Sequence, residues 1–84
     1  MTVYVDRSRH KLGRMLMCHM AADTLDELHA MAERLGVRRH FQDKPGMPHY
    51  DLCKATRRKA VDAGAVEVTS REIVRICRQA NQPK

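Results

Sequence analysis

Tryptophan is absent from these 84 residues, phenylalanine occurs once and tyrosine twice. A core without large rings must be filled by Ala, Val, Leu, Met and Cys, so it is expected to be thin and adaptable. No apolar run approaches the roughly 20 residues that span a bilayer, which excludes a membrane helix. Cys18, Cys53 and Cys77 make neither a C-x-x-C pair nor an even set. With no signal-peptide pattern, reduced thiols and a cytoplasmic location are the simplest expectation. Repeats, low-complexity tracts and a helix-turn-helix pattern are missing as well. Neither H-x-x-x-H nor H-E-x-x-H spacing occurs, so the sequence assigns no metal, and no motif names a cofactor.

What is plentiful is positive charge. Sixteen Lys and Arg against ten Asp and Glu give a net +6, a surface that attracts polyanions. Arg71, Arg75 and Arg78 recur at i, i+4 and i+7, which lines them along one helix face. Lys54, Arg57 and Arg58 fall on the outer side of the preceding helical stretch, and Arg38 and Arg39 lie in a loop. Clustered guanidinium groups fork onto phosphates or carboxylates. Interleaved Glu67 and Glu72 also fit an ordinary solvated face.

The chain reads as one small domain over residues 1–80 with a flexible tail at 81–84. At this size a homodimer contact or a bound ligand would add useful stability. The expected class is α/β, with α+β open: a sheet of three to four strands covered by three helices, in the order β-β-α-(β)-α-β-α. TVYV at 2–5 is strand-like, and a basic loop follows over 6–14. MLMCHMA at 15–21 reads as a buried strand in which His19 needs a partner. Thr24 and Glu27 form a capping box for a helix whose stripe is Leu25, Leu28, Met31, Ala32 and Leu35, and Gly36 ends it. Residues 37–50 read as a long loop with a short strand near Phe41. Asp51 is then expected to cap a helix running to Ala63, Gly64 to stop it, AVEV at 65–68 to form a strand, and Thr69 with Glu72 to cap the last helix. Cys53 and Cys77 are expected on inward helix faces, and Cys18 and His19, as strand neighbours, on opposite faces of the sheet.

Several blocks together resemble a known family. YVD at 4–6, CHM-A-AD at 18–23, DELHAMAERLGV at 26–37, FQDKPGMPHYD at 41–51 and AGAVEVTSRE at 63–72 are similar to small phage and bacterial proteins of unknown function, the domain-of-unknown-function 4031 family. The resemblance runs from about Tyr4 to Ile73 and brings no established activity. The matching positions are Tyr4, Asp6, His19, Asp23, Glu27, His29, Gln42, His49, Tyr50 and Asp51, most of them polar. Polar and aromatic groups retained in loops and at element ends imply a site. The family usually carries a tryptophan shortly before the His19 position, where this chain has Met15-Leu16-Met17. If phage-encoded, the chain would work in a host cytoplasm.

Two readings follow. In the first, His19, His29, His49, Tyr50 and Asp51 share a polar pocket oriented by Asp6 and Gln42, which takes a phosphate-bearing ligand such as a nucleotide or a nucleic-acid end. In the second, the chain is a protein-binding accessory factor that inhibits or redirects a host complex through Arg38, Arg39, Arg57, Arg58, Arg71, Arg75 and Arg78. Direct nucleic-acid binding is a third reading. Whether the chain is an enzyme stays open.

Overall fold

Val3–Val5, β-branched on either side of a tyrosine, forms the first strand, β1. A computed structural model describes residues 2–7, 10–12, 15–38, 41–44 and 46–80. Arg39 and the expected tail at 81–84 lie outside the described residues. The elements after β1 are β2 (His10–Leu12), β3 (Met15–Ala22), α1 (Leu25–Leu35), β4 (Phe41–Lys44), β5 (Met47–Cys53), α2 (Lys54–Asp62), β6 (Val66–Glu67) and α3 (Ser70–Ala80).

The strands form a six-stranded sheet in the order β4-β5-β3-β1-β6, with β2 paired to β3. β3 is antiparallel to β1, β2 and β5, β4 is antiparallel to β5, and β6 is parallel to β1. It follows that β1, β5 and β6 run one way and β3 and β4 the other. The segments β3-α1-β4 and β5-α2-β6 are therefore helical crossovers between parallel strands, the connection that defines α/β layering.

Strand alternation decides which side chains go where. Cys18, Met20 and Ala22 of β3 join Val3, Val5, Tyr50 and Leu52 in a core closed by Leu28, Met31 and Ala32 of α1 and Ala60 of α2. Ala21 faces the other way and packs with Ile73 and Cys77 of α3. The sheet thus has two distinct faces, one under α1 and α2 and the other partly under α3.

The class is α/β as expected, but the sheet has more strands than the three or four read from the sequence. The difference lies in residues 10–12, where β2 stands within the stretch read as a basic loop, and in residues 41–53, where two strands replace a loop. Gly46, at φ +78°, turns β4 into β5. Pro48 is tolerated because the pairing of β5 with β3 spans only Tyr50–Cys53. Asp51 is consequently not a helix cap: it sits inside β5, directly opposite His19. The residue preceding α2 is Cys53, whose side chain makes no capping bond. Cys53 accordingly ends a strand rather than lining a helix. The other two caps form as read. Thr24 Oγ1 accepts from the Glu27 amide, and Thr69 and Glu72 cap one another reciprocally. Gly36 closes α1 in the left-handed conformation. Among the described residues no helix is long and apolar enough to cross a membrane.

The thiols separate by environment. Burial pushes Cys18 up to about 12 and Cys77 up to about 11. A hydrogen bond with the Thr56 hydroxyl, Sγ to Oγ1 at 3.2 Å, pulls the half-buried Cys53 below its usual value. The thiolate is the reactive species. In native protein Cys53 is therefore expected to alkylate first, with Cys18 and Cys77 labelled only after denaturation. Mass spectrometry of iodoacetamide-treated peptides reads that order.

Candidate functional site

The face of the sheet that carries Ala21 also carries a polar cluster, and pairing in the sheet assembles it. His19 of β3 lies opposite Asp51 of β5, and Asp6 follows directly on the last residue of β1. Asp6 is wholly buried. Its carboxylate accepts the His19 backbone N–H at 2.9 Å and binds the His19 ring through Nδ1 at 2.7 Å, while its own amide donates to the His19 carbonyl at 3.1 Å. The requirement that a buried-strand histidine find a partner is met by these contacts. The His19 side chain remains 31% exposed, with its ring held by Asp6 at Nδ1.

His49 is pinned in a similar way. Its Nδ1 lies 2.8 Å from the Met47 carbonyl oxygen. A carbonyl only accepts, so Nδ1 carries the proton and Nε2 holds a lone pair in the neutral ring. That Nε2 is 3.6 Å from Asp51 Oδ1, and the two imidazoles meet edge to face with centroids 5.2 Å apart. Donor atoms of His19, His49 and Asp51 all lie within 4.8 Å of one another. Among the described residues these three could hold a cation. Gln42 is paired with His49 across β4 and β5 and so shares its face.

His29 and Tyr50 belong to the opposite face. Residues 49, 50 and 51 alternate along β5, so Tyr50 turns into the core between its two polar neighbours. Its hydroxyl lies 2.7 Å from His29 Nδ1 on α1, and both rings pack against Phe41. Burial raises the Tyr50 phenol above its usual value, against a smaller lowering by Arg38. The thickness of the sheet therefore divides the seven residues read as one pocket. Asp6, His19, Gln42, His49 and Asp51 stand on one side, His29 and Tyr50 on the other.

The basic residues are spread more widely. Arg71, Arg75 and Arg78 are exposed on α3, away from its buried Ile73 and Cys77. Arg38 and Arg58 are exposed too. Arg57 is tied down: its Nε donates to the Asp6 carbonyl at 2.9 Å and its Nη2 to Glu67 Oε1 at 2.8 Å. A groove of about 620 Å³ opens beside it, lined by Arg7, Lys54, Arg57 and Glu67 over the apolar floor of Cys18 and Leu52. A second hollow shares Lys54, Arg57 and Glu67 and adds Arg58. Neither Arg7 nor the Met47 carbonyl stood out in the sequence. The adjacency of Arg7 to Asp6 was the one signal available for the first, and nothing marks a backbone carbonyl.

No curated protein and no solved structure matches this chain. A family described as protein of unknown function (DUF4031) matches residues 3–80, from the first strand to the end of the last helix. The chain belongs to that family.

Proposed function

We propose that the domain binds a phosphate-bearing ligand, nucleic acid before a free nucleotide, along the groove beside α2. The single observation that carries this reading is the convergence of Arg7, Lys54 and Arg57 on one open groove, extended by Arg58. Glu67 occupies part of the Arg57 guanidinium, but among the described residues Arg7, Lys54 and Arg58 have no ion-pair partner. Lys54 and Arg58 stand one helical turn apart, about 6 Å, and both are exposed. Phosphate contacts of this kind position a strand without reading its bases. The scarcity of aromatic side chains disfavours recognition by base stacking. Asp6 links groove and polar cluster, because Arg57 holds its carbonyl on one side and its carboxylate holds His19 on the other.

Fluorescence anisotropy with a labelled DNA duplex and a single strand of equal length tests the proposal. Affinity is expected to fall with salt, with a log–log slope near −0.9 for each phosphate neutralised. Lys54→Ala and Arg58→Ala are each expected to reduce that slope by about one. Charge reversal at Arg71, Arg75 and Arg78 should leave it unchanged. Loss of binding only on reversal of the α3 arginines would move the nucleic-acid contact from the groove to α3. Absence of binding at low salt would end the nucleic-acid reading.

A further inference from the structure

We propose that His19 Nε2, His49 Nε2 and the Asp51 carboxylate bind one divalent transition-metal ion, with Asp6 and the Met47 carbonyl orienting the two imidazoles.

The first support is that both rings are already set for it. A metal-binding histidine usually donates its other ring N–H to a carboxylate or a backbone carbonyl, which fixes the tautomer and aims the lone pair. His19 meets the carboxylate form of this arrangement through Asp6 and His49 the carbonyl form through Met47. In both cases Nδ1 is the nitrogen engaged by the orienting group, and Nε2 is the one assigned here to the ion. His29, by contrast, meets a tyrosine hydroxyl on the far face.

The second support is the spacing of the donor atoms. His49 Nε2 bears a lone pair and faces Asp51 Oδ1, which is also an acceptor, across 3.6 Å. That separation is too long for a hydrogen bond, but it suits two donors around one ion with bonds of about 2.0–2.2 Å. One ion placed between them would engage His19 as well. With all three donor atoms within 4.8 Å of one another, small side-chain adjustments would close the set.

Charge and donor chemistry define the ion. Asp51 ligates directly, and the buried Asp6 carboxylate lies one imidazole away, so positive charge is favoured at this point. Two nitrogens and one carboxylate suit zinc, iron, cobalt, nickel or manganese rather than calcium or magnesium, which prefer all-oxygen sets. Three protein ligands with partial exposure leave open positions, as in catalytic rather than structural sites. A bound ion would turn an anionic cluster into one that meets a phosphate oxygen. That role rests on the proposed function, whereas the binding of the ion does not.

Cobalt(II) titrated into the full chain without nucleic acid tests the site. Wild type and His29→Ala are expected to take up a single ion at this site, with a visible absorption band. His49→Ala and Asp51→Ala should each weaken uptake by more than about 100-fold, beyond the range of an outer-shell change. Circular dichroism checks that the variants fold. A measurement on wild type alone avoids dependence on them: in ring-nitrogen NMR, zinc should shift Nε2 of His19 and His49 and leave His29 unmoved. Calcium and magnesium should do nothing. Failure to saturate, uptake that survives His49→Ala in folded protein, or zinc shifts at Nδ1 would overturn the proposal. Because nucleic acid is absent throughout, a negative result here is separate from a negative result in the anisotropy experiment.

Discussion

Asp6→Asn is expected to weaken cobalt or zinc binding by about 10–100-fold, the usual consequence of losing an outer-shell carboxylate, although Asp6 would not touch the ion. The substitution keeps the shape of the side chain and removes its charge. An asparagine oxygen can still accept the His19 backbone N–H, the contact now made by Asp6 Oδ1 at 2.9 Å. Its amide nitrogen then occupies the position of Oδ2, 2.7 Å from His19 Nδ1. An amide N–H donates, so the imidazole must accept at Nδ1 and carry its proton on Nε2, the atom needed for the metal. The buried negative charge that favours a cation is lost in the same step. Two measurements separate this from a structural defect. NMR of the ring nitrogens should report the tautomer switch in folded apoprotein, and the cobalt titration should report the lost affinity. A purely structural role for Asp6 would lower stability and move neither the tautomer nor the affinity of the molecules that remain folded.

The sequence was most legible where a few neighbouring residues decide the outcome. Thr24 with Glu27, Gly36, and Thr69 with Glu72 each satisfy backbone groups within one turn, and all three behave as their types require. Residues 41–53 were harder because local and long-range signals conflict there. Two prolines and a glycine interrupt the stretch, and an aspartate stands shortly before a helix. These are ordinary marks of a loop and a cap. Pairing with β3 overrides them, since Tyr50 and Leu52 are buried only if the segment is extended. Once the strand is granted, alternation separates Tyr50 from His49 and Asp51 without further information. The register that brings Asp51 opposite His19 cannot be read from either segment alone. It follows from which side chains the two strands bury together.

Met20→Ala should be among the most damaging single changes to folding, costing about 2–5 kcal/mol. Met20 is fully buried on β3, in register with Val5 on one side and Tyr50 on the other. A domain of this size has roughly 4–13 kcal/mol of stability at about 0.05–0.15 kcal/mol per residue. The substitution therefore removes a large part of it. Denaturant unfolding should show a lower midpoint with unchanged slope, and Met20→Leu, which conserves volume, should cost less than about 1.5 kcal/mol. The same variant also tests how far the sheet divides packing from chemistry. Met20 points under α1 and α2 while His19, its neighbour in the chain, points to the opposite face with Asp51. Folded Met20→Ala should consequently bind cobalt as wild type does. Saturating cobalt should then raise both midpoints by the same free energy, about 2.7 kcal/mol at a hundred times Kd. An unequal gain would mean that packing on the core face sets the geometry of the histidines, and that the two faces are coupled through β3.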